Sequence, residues 1–214
     1  MQTCSPITDG FCIVCELSSI NGDTHPWCSK TTTPKTVFSS FAYEDTVRKC
    51  IRTAKYGSKQ FAALKKLAYE GVTFASKCRK DLDWKDAVVV PIPLSKNRYK
   101  DRGFNQVEYI AVELCRQFNL KLDTSILKRA KETQVQFEHN RVERFKNLAN
   151  AFISDQKRVE NQKILLVDDI CTSGATLLEG CKCLYNSNCS EVHCFTLARR
   201  PLYSNASQLG HQVI

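Results

Sequence analysis

The sequence has no long hydrophobic run, and glycine, proline and methionine are sparse. Across 214 residues no apolar stretch approaches the ~18 that a membrane-spanning helix needs, so no membrane insertion is expected. Eight glycines and six prolines leave no room for a long flexible linker. The first twenty residues carry neither a basic leader nor an apolar core segment, so no secretory signal is expected. A Gly-Lys-Ser/Thr ending is missing from every glycine-containing loop, which excludes a P-loop. No internal repeat is found. These absences point to a soluble, cytoplasmic protein.

What is present fits an ordinary globular chain, 43% hydrophobic and 25% charged. The length suits one domain with a small appendage. The expected division is a cysteine-rich segment at 1–36, a main domain at 37–200 and a tail at 201–214. Twelve cysteines invite a disulfide framework, but such scaffolds are short and secreted. Cys50, Cys78, Cys115, Cys181, Cys183 and Cys194 instead lie in helix-like or strand-like stretches, where a reduced cysteine is a small apolar filler. The net charge of +9 clusters at Lys96 to Arg102, Lys128 to Lys131 and Arg141 to Lys146. Such clusters suit phosphates or nucleic acid, or serve as a solvated face.

Periodicity predicts helices over Asp45 to Tyr56, Gln60 to Lys77, Asn105 to Phe118 and Ala175 to Tyr185. It predicts strands over Val37 to Tyr43, Ala87 to Ile92, Lys163 to Val167 and Glu191 to Ala198. Apolar strands alternating with helices imply an α/β fold with a mostly parallel sheet covered on both faces.

The most informative stretch runs from Ile164 to Thr176. An apolar strand ends in Asp168 and Asp169; Thr172, Ser173 and Gly174 follow, and Ala175 and Thr176 open a helix. A loop at the carboxyl end of a strand is where open α/β sheets bind ligands. Its N–H groups and the helix N-terminus suit a phosphate monoester. Gly174 permits close approach, the hydroxyls can donate, and the carboxylates can accept from vicinal ribose hydroxyls. The plainer alternative is an aspartate pair that only caps the next helix.

This stretch resembles the phosphoribosyl pyrophosphate signature of type I phosphoribosyltransferases. Val90-Pro91-Ile92-Pro93-Leu94, then Arg98, then Arg102-Gly103-Phe104-Asn105-Gln106, narrow the resemblance to the ComF/GntX family. Lys55-Tyr56-Gly57, Thr133 with Gln136, Arg144 with Asn147, and Ala151-Phe152 agree with it. The resemblance covers about residues 12 to 200. It implies a type I phosphoribosyltransferase-like fold, Mg²⁺ accompanying phosphoribosyl pyrophosphate, and a link in bacteria to the uptake of transforming DNA. It names no acceptor.

Arg98 and Arg102 suit pyrophosphate oxygens, because guanidinium forks bind phosphate bidentately, and Gly103 offers a hinge. The same segment also reads as a basic surface loop. ComF relatives commonly carry two Cys-x-x-Cys pairs, as in a zinc ribbon. Here Cys12 and Cys15 form one pair, whereas Cys28 is followed by Thr31 where its partner is expected. Cys4 or His25 would then complete a Zn²⁺ site, or the metal is lost. Two functions stand open. One is phosphoribosyl transfer from phosphoribosyl pyrophosphate, or binding of ribose 5-phosphate. The other is a non-catalytic module that engages single-stranded DNA or a helicase partner.

Overall fold

Ile164, Leu165, Leu166 and Val167 have no exposed surface, and the strand they begin is surrounded on both faces and both edges. The computed structural model describes residues 6–7, 9–54, 61–78, 83–130 and 141–201. In chain order the elements are β1 (Val37–Ala42), α1 (Asp45–Thr53), α2 (Phe61–Cys78), β2 (Val88–Pro91), α3 (Lys96–Arg102), α4 (Gln106–Phe118) and β3 (Lys121–Leu122). They continue with β4 (Leu127–Arg129), α5 (Arg141–Leu148), β5 (Phe152–Ser154), α6 (Gln156–Val159), β6 (Lys163–Cys171), α7 (Ala175–Tyr185) and β7 (Glu191–Arg199). Five strands form one parallel sheet in the order β1-β7-β6-β2-β3, and β4 and β5 pair separately as an antiparallel ribbon.

Alternation along β6 builds two cores. Leu165 and Val167 join Phe38, Val89, Phe195 and Leu197 beneath α1, α2 and α4. Ile164 and Leu166 join Val37, Val90, Ile92 and Val192 beneath α7 and the β4–β5 ribbon. Phe11 and Ile13 from the N-terminal segment complete the second core. This is the mostly parallel α/β sheet that the pattern of strands and helices implied, on the type I phosphoribosyltransferase-like plan that the family resemblance implied.

Three expectations change. The strand expected to end at Val167 runs to Cys171, because β7 keeps pairing with it through Asp168↔Thr196, Ile170↔Ala198 and Cys171↔Arg199. Backbone pairing, not side-chain apolarity, sets where a strand stops. The basic segment at Lys96 is not a loop but helix α3, with Ser95 as N-cap and left-handed Gly103 as C-cap. That serine-to-glycine bracket was the readable signal. The β4–β5 ribbon was not anticipated, since each strand has only three residues, whereas α5 carries Arg144 and Asn147 on one helix, as their spacing of three suggested. Among the described residues no helix is long and apolar enough to cross a membrane.

All eleven described cysteines are free. Burial pushes the thiols of Cys171 and Cys189 up to about 12, and it raises that of Cys194 well above its ordinary value. An alkylating reagent at about pH 8 is therefore expected to modify exposed Cys78 and spare these three until denaturant is added, because only the thiolate reacts. Peptide mass spectrometry reads the order. Native-rate labelling of Cys194 would contradict its placement in β7.

Candidate phosphoester site and metal centre

The carboxyl ends of β2, β6 and β7 lie side by side, so the segments that leave them share one edge of the sheet. From β6 the chain passes through Thr172 and Ser173 to Gly174, which has φ 73° and serves as the N-cap of α7. No side chain caps this helix and its first turn holds no acidic residue. The aspartates therefore do not cap α7. Its first N–H groups keep their electropositive end for an anion.

The carboxylates have other work. Asp168 Oδ1 accepts from the Asp169 N–H at 2.8 Å. Asp169 Oδ2 accepts from the side-chain amide of Gln106, and both residues are buried. Asn105, also buried, donates to the Ile92 carbonyl at 3.0 Å and accepts from the Val107 N–H at 3.2 Å. The Arg-Gly-Phe-Asn-Gln run is thus a brace as well as a basic segment. Gly103 closes α3, Phe104 packs edge-on against Phe61, Asn105 ties α4 to the end of β2, and Gln106 reaches Asp169. Arg98 and Arg102, four apart, are half-buried on α3. From α5, Arg144 Nη1 donates to Thr172 Oγ1 at 2.8 Å, which leaves the Thr172 proton available to a ligand. Ala151 and Phe152 are buried in the second core. Thr133, Gln136 and Lys55-Tyr56-Gly57 lie outside the described residues.

At the N-terminus the ligand atoms of Cys12, Cys15, His25 and Cys28 all lie within 4.8 Å of one another. A tetrahedron with Zn–S bonds of about 2.3 Å separates its vertices by roughly 3.8 Å, so the cluster has the right dimensions. His25 Nδ1 is 3.3 Å from Cys15 Sγ, while Nε2 sits 3.1 Å from the Ser18 carbonyl. That outer partner fixes the tautomer a metal-binding imidazole requires. Burial and the neighbouring thiols of Cys15 and Cys12 push Cys28 up to about 11. Burial opposes ionisation of Cys12 too, but backbone N–H bonds from Cys15, His25 and Val14 prevail and hold it below its ordinary value.

Cys28 therefore closes a pair rather than opening one. His25-x-x-Cys28 repeats the spacing of Cys12-x-x-Cys15, and exposed Thr31 is not part of the set. Cys4 lies outside the described residues.

The phosphoribosyl transferase domain family model matches residues 57–208. Among curated proteins the chain is 34% identical over 113 residues to Competence protein F of Haemophilus influenzae, covering 52% of this chain and 49% of that protein. It is 36% identical over 127 residues to Competence protein ComFC of Streptococcus pneumoniae, covering 59% and 54%. It is 30% identical over 111 residues to DNA utilization protein YhgH of Escherichia coli, covering 52% and 48%. The chain thus spans about half the length of the curated relatives it matches. Among solved structures, a hypoxanthine phosphoribosyltransferase from Staphylococcus aureus is 17% identical over 64% of each chain, with a TM-score of 0.40.

Proposed function

Since this chain belongs to the phosphoribosyl transferase domain family, we propose that it binds phosphoribosyl pyrophosphate, or the related ribose 5-phosphate, at the carboxyl edge of β6. Its place would be DNA uptake or utilization, as the names of its relatives suggest. The observation that carries this reading is the α7 N-terminus, capped by Gly174 alone and preceded by two carboxylates.

The phosphate monoester would take the N–H groups from Ser173 to Thr176 and the hydroxyls of Thr172, Ser173 and Thr176. Asp168 and Asp169 would accept from the ribose hydroxyls, with Gln106 keeping Asp169 in place. Arg98 and Arg102 would meet the pyrophosphate. Mg²⁺ arriving with the pyrophosphate would neutralise that leaving group, held on the protein side by Asp168 and Asp169. In a transfer reaction the C1–pyrophosphate bond breaks and a bond from C1 to a nucleophile forms, with positioning supplying most of the rate. Cys12, Cys15, His25 and Cys28 are proposed as a structural Zn²⁺ site. Free thiols and a phosphorylated metabolite suit the cytoplasm.

A second reading rests on α3. Tyr99, 53% exposed, stands between Lys96 and Lys100 at an open cleft of about 540 Å³. That combination suits stacking on single-stranded DNA and would serve a non-catalytic module working with a helicase partner.

One set of measurements separates the two. Ribose 5-phosphate at a hundredfold excess over its Kd is expected to stabilise the fold by about 2.7 kcal/mol. Asp168→Asn with Asp169→Asn should reduce that gain without unfolding the chain. Arg102→Ala should weaken phosphoribosyl pyrophosphate by about 1.5–3 kcal/mol and leave ribose 5-phosphate nearly untouched, because only the former carries the pyrophosphate. A melting temperature indifferent to saturating ligand and Mg²⁺ rules the first reading out. Loss of DNA affinity in Arg102→Ala, uniform across sequences and with a shallower salt slope, supports the second.

A further inference from the structure

The phosphoester loop and the metal cluster touch. Ile13, the residue after Cys12 in the first knuckle, is 1% exposed and lies against Gly174. A Cβ on Gly174 would stand 2.6 Å from Ile13 Cγ1 and 3.1 Å from Cδ1. Helix α5 holds both partners. Arg141 donates to the Val14 carbonyl at 2.7 Å and pairs with Glu16, the residue after Cys15. One turn later, Arg144 donates to Thr172. A third tie runs from the end of β7, where buried Arg199 donates to the Asp9 carbonyl at 3.0 Å and lies over the Phe11 ring at 4.8 Å. Arg199 is the register partner of Cys171, the last residue before the loop.

We propose that metal occupancy at Cys12, Cys15, His25 and Cys28 and phosphoester binding at Thr172 to Thr176 are thermodynamically coupled, with Ile13 against Gly174 as the contact that transmits it. The inference rests on the phosphoribosyl reading of that loop. Anion binding at a helix N-terminus needs the N–H groups fixed in advance. Gly174, with no Cβ and a left-handed φ, is the loop's least restrained residue, and the Ile13 side chain limits where it can sit. Ile13 is in turn limited by the two cysteines that flank its knuckle. With a metal between them the knuckle has one shape. Without it, two backbone bonds remain inside the knuckle, Cys12 N–H to Leu17 and Glu16 N–H to Cys12. Ordering the knuckle therefore lowers the entropy cost of ordering the loop, and the reverse holds equally.

Coupling of this kind is reciprocal: the factor by which zinc tightens the phosphoester equals the factor by which the phosphoester tightens zinc. The test uses the full chain with zinc, ribose 5-phosphate as the probe, calorimetry for its affinity and a competing chelator for zinc affinity. Stripping zinc is expected to weaken ribose 5-phosphate by about 5- to 150-fold. Saturating ribose 5-phosphate should raise zinc affinity by the same factor. Ile13→Ala, with zinc content verified, should shrink the factor toward one, and Ile13→Val should retain most of it. Should stripping unfold the chain, zinc-loaded Ile13→Ala decides: it is expected to bind ribose 5-phosphate more weakly than the native zinc-loaded chain, and an unchanged affinity overturns the coupling.

Equal zinc affinity with and without ribose 5-phosphate, or an undiminished factor in Ile13→Ala, overturns the coupling. Absence of ribose 5-phosphate binding to the zinc-loaded chain overturns the phosphoribosyl reading and the coupling with it. Absence of zinc binding overturns the coupling but leaves the phosphoribosyl reading intact.

Discussion

Cys15→Ser and His25→Ala are each expected to purify with far less than one zinc per chain, whereas the native chain holds about one and Cys4→Ser keeps it. A structural zinc needs its full ligand set, and its apparent binding free energy in isolated finger peptides is about 10–16 kcal/mol at neutral pH. Here part of that free energy belongs to the main domain. Phe11 and Ile13, within or beside the cluster, are buried in the second core. Losing the metal should therefore lower the melting temperature of the whole chain, not only loosen its first 30 or so residues. The pH dependence has a definite sign. Zinc requires thiolates and a neutral imidazole, so protons compete with it, and retention should fall as pH falls. Metal analysis with a calorimetric melt measures both effects. Full zinc content in His25→Ala would remove His25 from the set, and Cys4 would become the next candidate.

Gly174→Ala is expected to destabilise the fold by about 2–5 kcal/mol and to abolish stabilisation by ribose 5-phosphate. Two independent costs add. A left-handed backbone costs a residue with a Cβ about 1–2 kcal/mol, and Gly174 has φ 73°. The new methyl would also stand 2.6 Å from Ile13 Cγ1, and overpacking of this kind costs about 1–3 kcal/mol. Gly103→Ala is the control. Its φ of 75° carries the same backbone cost, but nothing lies within 4 Å of the added Cβ. That variant should lose only about 1–2 kcal/mol and bind ribose 5-phosphate normally. Denaturant midpoints with and without ligand compare the two. Equal losses in both variants would mean that Ile13 yields without cost, and the close approach at Gly174 would have no energetic weight.

Much of this molecule is legible locally. The apolar runs at Ala87 to Ile92, Lys163 to Val167 and Glu191 to Ala198 mark the strands β2, β6 and β7, because a strand buried on both faces needs apolar residues throughout. Helix α4 was readable from Val107, Ile110, Ala111 and Leu114, all buried on one face. The succession of carboxylates, hydroxyls and glycine before α7 was readable because every part lies within one short stretch, and α7 begins at Ala175 as expected.

What stayed hidden depends on residues far apart in the chain. Gln106 and Asp169 are 63 positions apart, and only the adjacency of β2 and β6 brings the amide to the carboxylate. Arg141 reaches Val14 across 127 positions. The choice of His25 required knowing how the chain returns to the first knuckle. Residue types and spacings determined the strands, the main helices and the chemistry of the loop after β6, because hydrophobic period and loop composition act over a few residues. Tertiary structure alone decided that the Arg-Gly-Phe-Asn-Gln run braces Asp169, that His25 faces three thiols, and that Ile13 covers Gly174. Each is a contact between segments that no local preference brings together, made only once the parallel sheet has ordered its strands and both cores have closed.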